Sequence, residues 1–173
     1  GKTVLLSTLL ASMAACNSPK LVNFVLVDMK GDPKLSLLKD LPHMVGFASA
    51  LPGGNLKTRE QINNYITRAI TALKQEINGR MQKFNEANPP VTGDLFDYNR
   101  QFPNDPIPHL VVIIDEFAIL RQEFEDLMKA IVDVARTGRQ PGVYLILCTQ
   151  SPAGIVTGQI DANSNFRICL RVA

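Results

Sequence analysis

The sequence of this chain predicts an α/β fold with a mostly parallel central sheet and helices on both faces of the sheet. Two observations lead to this prediction. Short apolar segments alternate with longer segments of helical character, and the apolar segments are nearly continuous, as in strands that are buried on both sides. The chain has 173 residues, which fits one domain, and 46% apolar with 20% charged residues is typical of globular proteins.

The chain starts with a helix and a strand. Residues 3–16 contain helix-forming residues and no helix breaker, so we expect a helix that ends before Asn17-Ser18-Pro19. Residues 21–28 are apolar, rich in valine and end at Asp28, as expected of a buried parallel strand. The residues that follow are typical of a turn. Asp28 and Lys30 either line the ligand side of the sheet or only form this turn.

The middle of the chain is expected to form a long helix and then a loop. Thr58 and Gln61 fit a capping box, and apolar residues recur after them at steps of three and four. Residues 88–108 contain five prolines, which predicts a surface loop.

The last third of the chain provides three more predicted strands. Residues 110–115 form the most apolar of them, and a helix with one apolar stripe follows and ends at Gly138. Residues 143–150 and 166–172 are the other two. Because ligands of parallel sheets bind beyond the carboxyl ends of the strands, polar residues at these ends are the first candidates for a functional site.

The composition excludes several classes of protein. A net charge of +2 is too small to indicate nucleic-acid binding by itself, and no apolar run approaches the roughly 20 residues that span a bilayer. Cys16, Cys148 and Cys169 are widely spaced in apolar surroundings. We therefore expect reduced core thiols of a cytosolic protein, and neither a disulfide framework nor a metal site.

Gly1-Lys2-Thr3, followed directly by the first helix, matches the last third of the phosphate-binding motif G-x-x-x-x-G-K-[ST]. In that motif the backbone N–H groups surround the phosphates, the lysine reaches the outer phosphates and the hydroxyl binds Mg²⁺ at a helix N-terminus. The tripeptide alone also occurs by chance. Because the sequence starts inside the motif, we expect a fragment of a longer protein, truncated within its P-loop.

Two carboxylates, Asp115 and Glu116, follow the most apolar strand. An ionised carboxylate is costly to bury, so the pair must be solvated in a turn, paired with cations or bound to a metal. In a P-loop NTPase, Asp115 would hold Mg²⁺ partly through water and Glu116 would activate the attacking water as a general base. The GKT-helix start, the strand–helix–strand order and a further strand that ends in a polar pair favour the NTPase interpretation.

Three other polar positions have two interpretations each. Thr149-Gln150 at the end of a strand is either a capping pair or places the Gln150 amide beside a γ-phosphate. Arg136 and Arg139 flank the end of the helix after Glu116. They either complement the helix dipole, or one of them reaches the γ-phosphate of a neighbouring subunit as an arginine finger.

With these features in order, the chain resembles the FtsK/SpoIIIE family of ring-forming P-loop motor ATPases. Three segments carry the resemblance: DMKGDPKLSLLKDLPHMVG after the first predicted strand, PHLVVIIDEFAIL around the carboxylate pair, and the stretch that starts with VARTGRQPGVYLILCTQ. Within the family, residues 115–120 and 151–172 are more similar to the ATPase domains of type VII secretion proteins (EccC- and EssC-like) than to DNA translocases.

The resemblance implies a RecA-like P-loop fold in which residues 1–173 are a single ATPase domain that uses ATP and Mg²⁺. The site residues that match the family pattern are Gly1, Lys2, Thr3 and Asp115 for the nucleotide, Thr3 and Asp115 for Mg²⁺, and Glu116, Gln150, Arg139 and Arg136 for catalysis. The implied protein is anchored in the bacterial plasma membrane with this domain in the cytoplasm. Its implied partners are neighbouring ATPase domains or subunits in a ring or tandem array, membrane channel components and small helical secreted proteins.

Two alternative functions stay open on the sequence. The first is a DNA-translocating pump of the same family, which basic loops facing a pore would favour. The second is a non-hydrolysing, nucleotide-sensing domain that docks partners. Loss of the carboxylate at position 116 would favour this second alternative, and Glu116 is present.

Overall fold

A parallel sheet of four strands with helices on both faces is the architecture of the computed structural model, which describes residues 1–49, 58–119, 125–150, 162, 164 and 166–170. The strands are β1 (Val22–Asp28), β2 (Met44–Ser49), β3 (His109–Asp115) and β4 (Val143–Leu147), in the order β2-β1-β3-β4. The helices are α1 (Lys2–Cys16), α2 (Pro33–Ser36), α3 (Arg59–Glu86), α4 (Leu95–Gln101) and α5 (Glu125–Thr137). No helix within these ranges is both long and apolar enough to cross a bilayer.

The register between β1 and β3 sets the position of the polar strand ends. The two strands pair in parallel from Val22 opposite His109 to Asp28 opposite Asp115. Asp28 and Asp115 therefore lie next to each other at the carboxyl ends of β1 and β3, and the residues that follow them are neighbours as well.

Alternation along the strands gives each face of the sheet its own core. Phe24, Leu26, Val111 and Ile113 point to one face and pack against α1 and α2 through residues such as Leu6, Leu10 and Leu35. The intervening residues point to the other face, where α3 and α5 cover them. This pattern confirms the predicted α/β class with buried parallel strands.

Several predicted elements are confirmed with small shifts of their bounds. The predicted helix over residues 3–16 is α1, and the strands at 21–28 and 110–115 are β1 and β3. The capping box at the start of α3 is present, because Thr58 accepts from Gln61 N and the Gln61 side chain accepts from Thr58 N. The strand expected over 143–150 ends at Leu147.

The prediction of a surface loop over residues 88–108 is wrong. This segment contains α4, whose capping box is formed by Asp94 and Asp97. A separate small core lies under it, where Phe84 of α3 packs against Val91, Leu95, Tyr98 and Ile107. Prolines at both ends of the segment do not prevent a short helix between them, because α4 itself contains no proline.

Three further expectations need correction. No strand was expected at Met44–Ser49, whose glycine and serine weaken the strand pattern, yet β2 forms there at the edge of the sheet. Of the strand expected over 166–172, residues 166–170 are exposed and form no strand, and residues 171–172 lie outside the described residues. The cysteines are free thiols as expected, but Cys16 and Cys169 are exposed and do not lie in the core.

Candidate active site at the carboxyl edge of the sheet

The candidate site lies where α1 begins and where β1, β3 and β4 end. Gly1 precedes the first turn of α1, and no side chain caps this end of the helix. The first N–H groups of a helix lack partners within the helix and carry a partial positive charge. This end of α1 can therefore attract an anion, and Lys2 adds a full positive charge beside it.

Lys2 joins the helix to the carboxylate pair of β3. Its ammonium nitrogen lies 2.6 Å from Asp115 Oδ1 and 3.4 Å from Glu116 Oε2. Burial alone would lower the pKa of Lys2, but the hydrogen bond and the attraction of Asp115, together with Glu116, raise it above its ordinary value. Asp115 and Glu116 are therefore both buried and both paired with a cation, which offsets the cost of burying them.

Glu116 is held by four donors. The Thr149 hydroxyl donates to Oε1 at 2.8 Å, and the backbone N–H of Gln150 donates to both carboxylate oxygens, at 3.1 Å to Oε1 and 3.2 Å to Oε2. The ammonium groups of Lys2 and Lys30 lie 3.4 and 3.0 Å from Oε2. Burial would raise the pKa of Glu116, but these hydrogen bonds and positive charges lower it to about 2, so the side chain is a carboxylate at neutral pH.

The backbone of Glu116 has an unusual conformation. Its φ of 59° lies in the left-handed region, which a buried residue other than glycine adopts at a cost of about 1–3 kcal/mol. The contacts to its carboxylate from β4 and from the turn after β1 hold it there. Such conformations concentrate at functional sites, where they aim a side chain that an ordinary strand end would point elsewhere.

A turn built on Asp28 forms another wall of the site. Asp28 is fully buried, and its carboxylate accepts the backbone N–H groups of Lys30, Gly31 and Asp32 at 2.7–3.1 Å and the Ser49 hydroxyl at 3.2 Å. Gly31 provides the positive φ of 71° that the turn requires. Asp28 therefore forms the turn that the sequence suggested, and the Lys30 side chain contacts Glu116 of the candidate site.

Thr3 of α1 contacts Asp32 from the turn after β1. The Thr3 hydroxyl donates to Asp32 Oδ2 at 2.8 Å, and Asp32 Oδ1 caps α2 by accepting from Lys34 N. The hydrogen bond from Lys34 N and the one from Thr3 lower the pKa of Asp32, against a smaller effect of burial in the other direction. Because the Thr3 hydroxyl donates its proton to Asp32, the lone pairs of its oxygen stay available for a cation.

The oxygen atoms present fit a magnesium ion. Asp115 Oδ1 is buried and lies 2.6 Å from the Lys2 ammonium, so it already faces a cation and could face a metal ion when Lys2 moves away. Thr3 adds a hydroxyl oxygen, and Mg²⁺ in nucleotide sites is bound by one or two carboxylate or hydroxyl groups together with phosphate oxygens and water. The donor set is therefore the hard oxygen set that Mg²⁺ prefers.

This arrangement of a helix start, a lysine, a hydroxyl and a carboxylate pair matches what a family comparison finds. The profile of the FtsK/SpoIIIE family matches residues 1–154. The chain belongs to the FtsK/SpoIIIE family. The predicted family is confirmed by this match, and the predicted fold class by the parallel sheet described above.

The FtsK/SpoIIIE relatives of this chain include type VII secretion proteins. The chain is 37% identical over 176 residues to the type VII secretion system protein EssC of Staphylococcus aureus (strain NCTC 8325 / PS 47), covering 99% of this chain and 11% of that protein. It is similar in structure to the cytoplasmic domain of the Thermomonospora curvata type VII secretion ATPase EccC, with 28% identity, a TM-score of 0.80, and coverage of 94% of this chain and 18% of that chain.

A second solved structure supports the fold alone. It contains ATPases 2 and 3 of Thermomonospora curvata EccC in complex with a signal sequence peptide, and it matches at 24% identity and a TM-score of 0.73 over 94% of this chain and 28% of that chain. The chain spans 11% of the length of the Staphylococcus aureus EssC protein that it matches.

Within this FtsK/SpoIIIE domain, the structure brings five of the predicted site residues together: Lys2, Thr3, Asp115, Glu116 and, through its backbone, Gln150. The Gln150 side chain is exposed, and the contact to Glu116 comes from its N–H group, not from the amide that the sequence suggested. From the sequence, Thr149 was only the neighbour of Gln150 in a polar pair. In the structure its hydroxyl donates a hydrogen bond to Glu116.

The two predicted arginines lie at the end of the sheet where the strands begin, opposite the candidate site. Arg136 is in the last turn of α5 and Arg139 follows it, before the amino end of β4, whereas Gln150 lies beyond its carboxyl end. The five residues of β4 separate them from Glu116 by about 16 Å, at about 3.3 Å per residue. Arg136 pairs instead with Asp133 at 3.5 Å, and both arginines are exposed.

Sequence reasoning missed Asp32 as a member of the site. The segment after β1 was interpreted as a turn. The charged residues Asp28, Lys30 and Asp32 directly after a strand end could have identified Asp32 as a site residue. A run of charged residues at the carboxyl end of a parallel strand lies at the ligand edge of the sheet.

Proposed function

We propose that this FtsK/SpoIIIE domain binds and hydrolyses ATP with Mg²⁺, as one ATPase domain of a longer protein. The observation that carries the proposal is the contact of Lys2, in the first turn of α1, with both carboxylates at the end of β3. A cation at a helix start and two acidic side chains beside it are the parts that phosphoryl transfer needs. The matched relative is about nine times longer than the matched region, which supports a multidomain parent.

Each residue has a distinct role in this proposal. Gly1 and the N–H groups at the start of α1 bind phosphate oxygens, and Lys2 moves from the carboxylates to the outer phosphates. Thr3 and Asp115 hold Mg²⁺, Asp115 partly through water, and the ion supplies positive charge that neutralises the phosphates. Glu116 accepts a proton from the attacking water, and Gln150 contacts the γ-phosphate from the end of β4.

Departure of Lys2 from Glu116 is the step that would prepare the general base. In the described arrangement, four donors occupy Glu116, and a carboxylate with so low a pKa is a weak proton acceptor. When Lys2 contacts phosphate, one of these donors is removed and an acceptor position of Oε2 can face water. Thr149 and Gln150 still hold Oε1, so the carboxylate keeps its place while it changes partner.

The hydrolysis proposal is tested in the full-length protein with two substitutions and a control. Lys2→Ala should lose nucleotide binding, because it removes the cation at the phosphates. Glu116→Gln should bind ATP as the wild type does but hydrolyse it about 10²–10⁴-fold more slowly, which is the usual weight of a general base. Lys20→Ala, an exposed lysine beyond α1, is the matched control and should change neither quantity. Normal turnover by Glu116→Gln would remove Glu116 from the mechanism.

We also propose that an arginine of a neighbouring domain or subunit completes the site, with Arg139 or Arg136 as its source. Both are exposed, and their place at the far edge of the sheet means that they can contact phosphates only in a neighbour. A missing arginine finger costs about 10³–10⁵ in rate, so an isolated domain should be slow.

Mixed assemblies test the arginine proposal. Arg139→Ala and Glu116→Gln proteins are each expected to be inactive alone. When they are mixed, some interfaces combine an intact Glu116 with an intact Arg139, and part of the activity should return. If mixing restores nothing at any ratio and the monomer is fully active, the arginines act elsewhere. Asp105→Asn, an exposed change, serves as the control for mixing itself.

The cargo that we propose is polypeptide, exported across the bacterial plasma membrane by the longer protein with this domain in the cytoplasm. The names of the matched relatives, a type VII secretion system protein and a type VII secretion ATPase, support this proposal. The net charge of +2 supports it against duplex DNA, because a DNA-tracking protein neutralises several phosphates with basic side chains. Membrane channel components and adjacent ATPase domains would be its partners.

Stimulation of ATPase activity distinguishes the cargoes. Small helical secretion substrates should raise the rate of the assembled protein, and duplex DNA should not. If DNA stimulates and the effect falls steeply with salt, by about 10³–10⁵ between low and moderate salt for six to ten phosphate contacts, the protein is a DNA pump. If nucleotide binds and neither cargo nor assembly produces hydrolysis, it is a nucleotide-sensing docking domain.

A further inference from the structure

Lys30 is a second lysine in the candidate site, and it lies outside the phosphate-binding motif that contains Lys2. Its ammonium group lies 3.0 Å from Glu116 Oε2, the oxygen that Lys2 contacts at 3.4 Å. The two lysines come from different elements, Lys2 from α1 and Lys30 from the turn after β1. Two ammonium groups that share one carboxylate oxygen lie close enough together to contact a single phosphate group.

The position of Lys30 is determined by the backbone around it. Asp28 accepts the N–H of Lys30 at 3.1 Å and the N–H of Gly31 at 2.9 Å, which fixes the turn at the end of β1. Pairing of β1 with β3 then places this turn beside Glu116, since Asp28 lies opposite Asp115. The side chain of Lys30 is about one-third exposed, 35%, so it can change partner without crossing packed core.

The charges of the site favour transfer of both lysines to a polyphosphate. In the described arrangement Lys2 and Lys30 are paired with the carboxylates of Asp115 and Glu116. A triphosphate carries more negative charge than Glu116, and a lysine binds phosphate as a compact point charge that can follow the stronger partner. Glu116 keeps its position when the lysines leave, because Thr149 and Gln150 hold its other oxygen.

We propose that Lys30 is a further substrate-binding residue that contacts the terminal phosphate of ATP and makes the domain prefer ATP over ADP. The inference rests on the proposed function, since it requires a nucleotide in this site. Lys30 lies beside the proposed general base, and the group that Glu116-activated water attacks is the terminal phosphate. The contact is therefore made to ATP and lost with ADP, which lacks that group.

Equilibrium binding of ATP and ADP to the full-length protein tests the inference. Lys30→Met should weaken ATP binding about 10- to 100-fold, the effect of one hydrogen bond to a charged group, and change ADP binding less than about threefold. Lys30→Arg should restore most of the ATP affinity, because the charge is kept. Lys34→Met, an exposed lysine on α2 in the same connection, is the matched control and should leave both affinities unchanged.

The outcomes separate this inference from the proposed function. If Lys2→Ala abolishes binding while Lys30→Met leaves the ratio of ATP to ADP affinity unchanged, the site binds nucleotide and Lys30 does not contact the terminal phosphate. Equal loss of ATP and ADP affinity in Lys30→Met would also overturn the inference and assign Lys30 to the shape of the turn. If the wild type binds neither nucleotide, the proposed function itself fails.

Discussion

Asp28→Asn is the substitution that best tests how the fold supports the site. Asp28 is fully buried and accepts four hydrogen bonds from the turn after β1 and from β2. The asparagine side chain has nearly the same shape, so it creates no cavity. It replaces one acceptor oxygen by an NH₂ group and removes the charge, which makes it a specific test of these hydrogen bonds.

The size of the effect follows from the contacts. The remaining oxygen can keep the N–H groups of Lys30 and Gly31, and the Ser49 hydroxyl can turn to accept. The N–H of Asp32, which makes the shortest bond at 2.7 Å, then faces an NH₂ group and loses its acceptor. Loss of one hydrogen bond to a charged group costs about 1.5–3 kcal/mol, and the two retained bonds weaken to neutral ones. Easier burial of the neutral side chain offsets part of these losses. We therefore expect the free energy of unfolding to fall by about 2–4 kcal/mol.

Urea unfolding followed by far-ultraviolet circular dichroism measures this loss, since the chain has no tryptophan to report by fluorescence. The urea concentration at the midpoint of unfolding should fall, and the slope of the free energy of unfolding against urea concentration should stay unchanged. Asp105→Asn is the matched control, because its side chain is 77% exposed and its ion pair with Lys83 spans 3.8 Å, so it should change stability by less than about 0.5 kcal/mol. A loss below about 1 kcal/mol for Asp28→Asn would refute the view that this carboxylate organises the turn.

Three other predictions concern the core, a thiol and the acid sensitivity of the site. Phe84→Ala should cost about 3–5 kcal/mol in urea unfolding, because the ring is fully buried and stacks on Tyr98 at 5.1 Å; a loss under about 1 kcal/mol would mean that the α4 core is not formed. Burial raises the pKa of the Cys148 thiol to about 11, so iodoacetamide at neutral pH should modify the exposed Cys16 well before Cys148, as followed by mass spectrometry, and equal rates would contradict this. The lowered pKa of Glu116, about 2 against 4.5, adds stability that is fully present above pH 4.5 and is lost as the pH falls through 2. The free energy of unfolding of the wild type should therefore exceed that of Glu116→Gln by less as the pH falls across this interval, and a constant difference would exclude the hydrogen bonds and ion pairs of this carboxylate as its cause.

Part of the site could be predicted from the sequence because its signals are local. Asp115 and Glu116 follow a run of buried apolar residues, and a strand that alternates into two cores must end where such a run ends. The tripeptide Gly1-Lys2-Thr3 stands at the start of a helix, which the uninterrupted helix-forming residues also indicate. The two carboxylates and the helix start are therefore assigned to one edge of the sheet by strand direction alone.

Other members of the site depend on contacts that no local pattern encodes. The hydrogen bond between Thr149 and Glu116 joins residues 33 positions apart, and the contact between Lys2 and Glu116 joins residues 114 positions apart. The positive φ of Glu116 is maintained by these partners, so no property of its neighbours in sequence predicts it. Arg136 and Arg139 were predicted as site residues from their side chains. The direction of β4 places them at the amino end of the strands, away from the candidate site.

The sequence by itself determined the α/β class, three of the four described strands and the candidate carboxylates of this domain. Apolar periodicity and capping residues act within a few positions, so their effect can be read along the chain. The tertiary structure alone decided that residues 88–108 contain a small core and that residues 166–170 lie outside the described ladders. It also decided that Lys30 reaches Glu116. These outcomes depend on which partner is available across the fold, because buried area and ladder hydrogen bonds exist only between elements that meet in space.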